Sequence, residues 1–252
     1  MLIEVHQALD GGIDVRTDLV YNDYGNVARV TGPANAKGQR YQLEFTYDSV
    51  VQGFVERIED HPFGYVSTAT YDYALGKLRS TTDRNQNTLR YIYDSVGRMH
   101  SITGPYQQGG TQATLRFDYH PDAQPPYAIT RHYDPYRDPS GADTLDTVLF
   151  TDGLKRVLQT KQDHALHRSP GQPPQVGMSV SGRVQFDALG RSIAQYYPRF
   201  EAAGLAGVFN ATFDRITPTL TDYDALHTLR GQALHLTSRS CRIMLCPTHS
   251  LN

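Results

Sequence analysis

The chain has 252 residues, of which 39% are hydrophobic, with a net charge of −2 and a mean hydropathy of −0.50. No apolar run is long enough to span a bilayer as a helix, and basic residues are interleaved with acidic ones, which disfavours a nucleic-acid groove. The 17 tyrosines, 21 glycines and 14 prolines favour strands and turns over helices, and Cys241 and Cys246, the only cysteines, imply no disulfide framework.

Met1 to His6 lacks the basic start and apolar core of a signal peptide, and residues 1–19 read as a lead-in. The first repeating unit is Val20-Tyr21-Asn22-Asp23-Tyr24-Gly25-Asn26-Val27, a strand–turn–strand segment that closes on Thr31-Gly32-Pro33. Tyr41, Leu43, Phe45 and Tyr47 then fall on one face of an alternating strand. Tyr71-Asp72-Tyr73-Ala74-Leu75-Gly76-Lys77 repeats the turn with one residue inserted. Lys77 to Thr82 and Thr88 to Tyr93 alternate as two strands around the turn Asp83 to Asn87. Tyr93-Asp94-Ser95-Val96-Gly97-Arg98 turns into the next strand, which ends at Thr103-Gly104-Pro105.

Leu115 to Tyr119 alternates again, and later copies of the unit lie at Phe150 to Val157 and at Phe186-Asp187-Ala188-Leu189-Gly190-Arg191. Tyr223-Asp224 opens one more. The shared pattern is an aromatic, an Asp, a short variable run, Gly (Lys155 in one copy) and then Arg or Lys. The aromatic is expected to pack on its equivalents in neighbouring units, the Asp to accept backbone N–H bonds, the Gly to take positive φ, and the basic residue to face the Asp of an adjacent unit. The candidate repeat positions are Tyr71, Asp72, Gly76, Tyr93, Asp94, Gly97, Arg98, Phe186, Asp187, Gly190 and Arg191. Spacing between units is irregular, and residues 163–182 and 199–220 read as long loops. Internal repetition without helical periodicity predicts an all-β array of repeated antiparallel hairpins over residues 20–226.

Few residues read as chemistry. Gly177-Met178-Ser179-Val180-Ser181-Gly182 is one residue too long for a hydrolase elbow and reads as a flexible loop. Asp163-His164-Ala165-Leu166-His167 and the trio His132, Asp134 and Asp138 lack the density of metal ligands that zinc or calcium needs, and both read as surface loop. The repeated Asp residues occupy one place in a repeated turn, so they read as turn formers rather than paired catalytic carboxylates. Asn210-Ala211-Thr212 is a formal glycosylation sequon, and no Gly-rich phosphate loop is present. The expectation is a protein without cofactor, metal or catalytic residues.

The copies at Tyr93 to Arg98 and Phe186 to Arg191, with the turn Asp83 to Asn87, resemble the Tyr-Asp repeats of the RHS family, over roughly residues 20–226. That family includes bacterial polymorphic toxins, the B and C components of insecticidal toxin complexes, and the shell of teneurins. The resemblance implies a partial, solenoid-like spiralling sheet that works as a non-enzymatic wall enclosing a toxin polypeptide. Its implied partners are other RHS repeats of the same or a longer chain, the enclosed toxin domain and toxin-complex components. Its implied location is extracellular, as part of a larger secreted toxin. Tyr133-Asp134-Pro135 and Asp138-Pro139 are similar to the Asp-Pro signature of the family's self-cleaving core. The Gly-Arg-aromatic continuation is missing, so this stretch reads as an ordinary loop. The alternative reading is a tyrosine-rich binding module for cell-surface carbohydrate or protein.

Residues 227–252 break the pattern. From Ala225 to Asn252 there is none of the chain's 26 acids, tyrosine disappears and both cysteines occur. The expectation is a frame-shifted or disordered tail on a fragment of a longer shell. Translating the other two frames of the gene tests the first of these, which fails if neither restores a Tyr-Asp unit.

Overall fold

The computed structural model of the chain describes residues 1–9, 13–167, 169–212, 217–224, 229–236 and 239–243. It is all-β, and among the described residues the one helical piece is a 3-10 turn at Pro105–Gln107. The chain divides into two compact parts, Met1–Leu115 and Arg116–Asn252.

The first part holds β1 (Leu2–Leu9), β2 (Ile13–Tyr21), β3 (Val27–Ala34), β4 (Arg40–Tyr47) and β5 (Val55–Asp60), then β6 (Tyr65–Asp72), β7 (Lys77–Thr82), β8 (Thr88–Tyr93) and β9 (Met99–Thr103). Each strand pairs antiparallel with its neighbour in sequence, so the sheet is a run of consecutive hairpins. The strands β7 and β8 coincide with the two that alternation predicts. Among the described residues of this part no apolar side chain is fully buried, while the Asp48 side chain is 0% exposed. A sheet one layer thick half-buries its rows of side chains against cross-strand neighbours and leaves the rest to be covered by something else.

The second part holds most of β10 (Leu115–His120), with β11 (Tyr127–His132), β12 (Leu145–Thr151), β13 (Val157–Leu166), β14 (Gln175–Val180) and β17 (Arg199–Ala202). In this sheet β14 skips two strands to pair with β17. A second sheet runs β15 (Val184–Phe186), β16 (Ser192–Gln195), β18 (Thr219–Tyr223), β19 (Leu229–Leu236) and β20 (Arg239–Ile243). A small core of Ile129, Val148, Phe150 and Met178 is packed by Tyr127, Ala206 and Phe209.

Residues 163–182, expected to be loop, are half strand. β13 runs to Leu166, and β14 carries Met178 and Val180, each 2% exposed. Ser179 therefore lies in a ladder opposite Phe200, not on a flexible loop. Gly177 is what permits this, because a Cβ there would lie 2.3 Å from the Glu201 carbonyl oxygen, so only a bare backbone lets β17 approach. In the tail, the backbone of β19 and β20 forms a hairpin, while Cys246 and the rest of residues 244–252 lie outside the described residues.

Candidate functional site

The recurring chemistry of the chain is in its turns. At Asp94 the Oδ1 atom accepts the N–H of Val96 at 3.1 Å and of Arg98 at 2.7 Å, and Arg98 Nε donates to Oδ2 at 2.7 Å. Gly97 takes φ +78°, as a turn of this hand requires. Asp187 repeats every part of this, with Leu189 N–H at 2.9 Å, Arg191 N–H at 2.9 Å and Arg191 Nε at 2.7 Å. Asp152 does the same with Leu154 and Arg156, and there Lys155 carries the positive φ of 62°.

Burial works against ionisation of Asp94, and the side-chain and backbone bonds from Arg98 outweigh it. At Asp187 the Arg191 backbone N–H is the largest influence. Both carboxyls titrate below the ordinary 3.8. In these three turns the arginine thus pairs with the Asp of its own turn, while Lys77 after the Asp72 turn reaches the Gly97 carbonyl. The expected pairing with an adjacent unit is corrected by the i,i+4 geometry of the turn, which brings the guanidinium back onto the residue that opened it.

Three more turns share the geometry without the Tyr-Asp signature. Asp83 accepts from the N–H of Asn85 and Asn87, Asn22 from Tyr24 and Asn26, and Asn35 from Lys37 and Gln39. An Asn Oδ1 does the work of an Asp Oδ1 here, and the fourth position holds Gln86, Gly25 or Gly38 at positive φ. Asp72 opens a turn one residue longer, accepting from Ala74 and Leu75, with Gly76 at φ +62°. At Asp48 five backbone N–H groups, from Val50 to Phe54, converge on one carboxylate. Burial pushes that carboxyl up, and the N–H bonds of Val51, Phe54, Gly53 and Gln52 overcome it and hold it at about 2.

Successive units are locked to one another by a second set of contacts. The ladder slips by one residue at Tyr21, Tyr47, Tyr71, Tyr93, Phe186 and Tyr223, a bulge that re-aims each aromatic. The hydroxyl of each later tyrosine then donates to a backbone carbonyl just beyond the previous turn at the same end of the strands. Tyr47 reaches Val27 at 2.9 Å, Tyr71 reaches Val55 at 3.0 Å, Tyr93 reaches Leu78 at 2.8 Å and Tyr223 reaches Ser192 at 3.1 Å. The basic residue of one unit lies over the aromatic of the next: Lys77 over Tyr93 at 5.0 Å, Arg156 over Phe186 at 4.6 Å and Arg191 over Tyr223 at 4.8 Å. The aromatics were expected to stack on their equivalents. They meet cations and carbonyls instead, and the ring contacts they make go to residues outside the repeat positions, as in Phe54 against Tyr71 at 4.7 Å and Tyr127 against Phe150 at 5.2 Å.

The remaining sequence candidates are placed as follows. His164 lies in β13, edge-on to Phe200 at 6.3 Å, and Asp163 accepts the Asp146 N–H at 2.9 Å. Burial, with Asp146 close by, raises the Asp163 carboxyl above its ordinary value. Asp134 and Asp138 bind their own loop, through the N–H of Tyr136, Ser140 and Asp143. Asn210 of the sequon donates its Nδ2 to Glu201 at 2.9 Å. One feature that sequence reading did not reach is an open cavity of 630 Å³ over β5–β8, with Ile58, Ala69, Leu78 and Leu89 on its walls and the 93% exposed Tyr106 at its rim. A second joins the buried Lys161 to the partly buried Glu201 and Asn210, the lysine standing 40 residues before the glutamate.

A sheet of consecutive hairpins, each locked to the one before, defines a repeat architecture of the solenoid kind. Solved structures share it. The chain is similar to TcdB2-TccC3 over 96% of its length, at 16% identity and a TM-score of 0.68. It is similar to the Photorhabdus luminescens Tc holotoxin pore over 91% of its length, at 14% identity and a TM-score of 0.64. It spans 14% and 16% of those two chains. The likeness establishes the fold and agrees with the RHS resemblance of the Tyr-Asp units. No protein-family model and no curated protein matches the sequence.

Proposed function

We propose that this chain is a wall segment of an RHS-type shell that encloses a toxin polypeptide, with no reaction of its own. The observation that carries the reading is the interlock between units. Hydroxyl-to-carbonyl and cation-to-ring contacts repeat from turn to turn, on a fold found in toxin-complex proteins. A repeat of that kind can be extended indefinitely in one direction and has no single cleft at which substrate chemistry would converge. The incompletely buried faces of the first part fit a wall whose cover is supplied by further chain. On this reading the partners are other Tyr-Asp repeats, the enclosed toxin and the other toxin-complex components, and the protein acts outside the cell that makes it.

The test is a chimera in which this segment replaces the structurally equivalent stretch of a toxin-complex shell. The enclosed toxin should resist added protease as it does in the parent. An assembled chimera whose toxin is digested as fast as free toxin refutes the reading. The open cavity over β5–β8 and exposed Tyr106 favour a second reading, a binding module for cell-surface carbohydrate or protein. Glycan-array binding that is lost in Tyr106→Ala supports that alternative.

A further inference from the structure

We propose that Lys161, Glu201 and Asn210 form an intramolecular isopeptide cross-link, an amide joining Lys161 Nζ to Asn210 Cγ with loss of ammonia. The trio lies within the second part, on β13, on β17 and in the segment that follows β17. Lys161 is 0% exposed and the Glu201 side chain 9%. A lysine with no water is rare, and here its Nζ is aimed by Glu201 Oε1, the Leu205 carbonyl at 2.8 Å and the Val208 carbonyl at 2.5 Å.

One carboxylate bridges the nucleophile and the leaving group. Glu201 Oε1 meets Lys161 Nζ, while Oε2 accepts Asn210 Nδ2 at 2.9 Å. The amide carbonyl is polarised as well, since Asn210 Oδ1 accepts the Thr212 N–H at 3.0 Å, a donor placed where charge would develop. Asn210 cannot swing away: its N–H donates to Gln159 Oε1 at 3.0 Å and its carbonyl accepts Gln159 Nε2 at 3.1 Å. Phe150 lies under the Lys161 ammonium at 5.7 Å, and Phe209 meets Phe150 edge-on at 5.4 Å. These rings cover one side of the ammonium, so Glu201 and the two carbonyls are the groups that meet its protons.

The step balances without a co-reactant. Glu201 takes one proton from the Lys161 ammonium, and the freed lone pair attacks Asn210 Cγ. The oxygen, held by the Thr212 N–H, takes the charge. Glu201 passes that proton and a second from Nζ to Nδ2. The Cγ–Nδ2 bond breaks, ammonium departs, and Glu201 is a carboxylate again. A salt bridge becomes a covalent tie between β13 and the segment that covers the core.

Mass spectrometry of the intact full chain tests this. The expected mass is below that of the sequence by one ammonia, with a branched tryptic peptide joining the Lys161 and Asn210 segments and no cleavage after Lys161. Lys161→Met and Glu201→Gln should both restore the full mass. A parent chain at the full sequence mass overturns the proposal. So does a deficit that survives in Lys161→Met, which would place it in a cyclised Asn210-Ala211. A deficit that survives in Glu201→Gln overturns the catalytic role given to Glu201.

Discussion

Replacing Tyr93 by Phe isolates the hydroxyl of the interlock. The change removes the 2.8 Å bond to the Leu78 carbonyl and leaves the ring beneath Lys77, 5.0 Å from its centroid. A hydrogen bond of this kind contributes about 0.5–1.5 kcal/mol net, and the loss should fall at the middle of that range because the carbonyl keeps a second lone pair for its ladder partner. Tyr93→Leu removes the ring too, adding the cation–ring attraction of about 0.5–1 kcal/mol at a half-exposed site. Urea unfolding of the parent and both variants, with amide hydrogen exchange read at β7 and β8, should give the order parent, Phe, Leu. A Tyr93→Phe chain as stable as the parent refutes the claim that the hydroxyl couples the units, and one as unstable as Tyr93→Leu refutes the contribution given to the ring.

Asp48 has a carboxyl held at about 2, below the ordinary 3.8, so the stability it gives is complete above 3.8 and is lost as pH falls through about 2. Acid titration followed by circular dichroism should show a transition in that window, and Asp48→Asn should lack it. Lys155 occupies a positive-φ position that Gly fills in sister turns, so Lys155→Gly should stabilise by about 0.5–1 kcal/mol in urea while Gly97→Ala destabilises by about 1 kcal/mol. Phe150, 0% exposed among Ile129, Val148 and Met178, should cost about 3–5 kcal/mol on replacement by Ala, measured as a lowered thermal midpoint of the second part.

The Tyr-Asp units were legible because everything that builds one turn lies within a few residues: an acceptor, a residue of positive φ and a basic return at fixed offsets. The same logic reaches Asn22 and Asn35 once Asn is admitted as the acceptor, and the Asn-x-x-Gly spacing is the signal that marks them. The interlock was not legible, since which carbonyl Tyr71 meets depends on a one-residue slip in the ladder. β14 was misread because Gly177 and its serine neighbours look like loop chemistry, whereas the missing side chain serves the close approach of β17. Lys161 lies 40 residues before Glu201, and no local pattern unites it with Glu201 and Asn210.

In the first part every strand pairs with the strand just before or after it in sequence. No strand waits for a distant partner, so the entropy of closing long loops, which slows most β proteins, is small. The hairpins can be laid down in the order in which the ribosome releases them, each finished edge serving as template for the next. Assembly of this part is then limited by the pace of synthesis rather than by a search, and a chain interrupted between units would still leave folded everything already made.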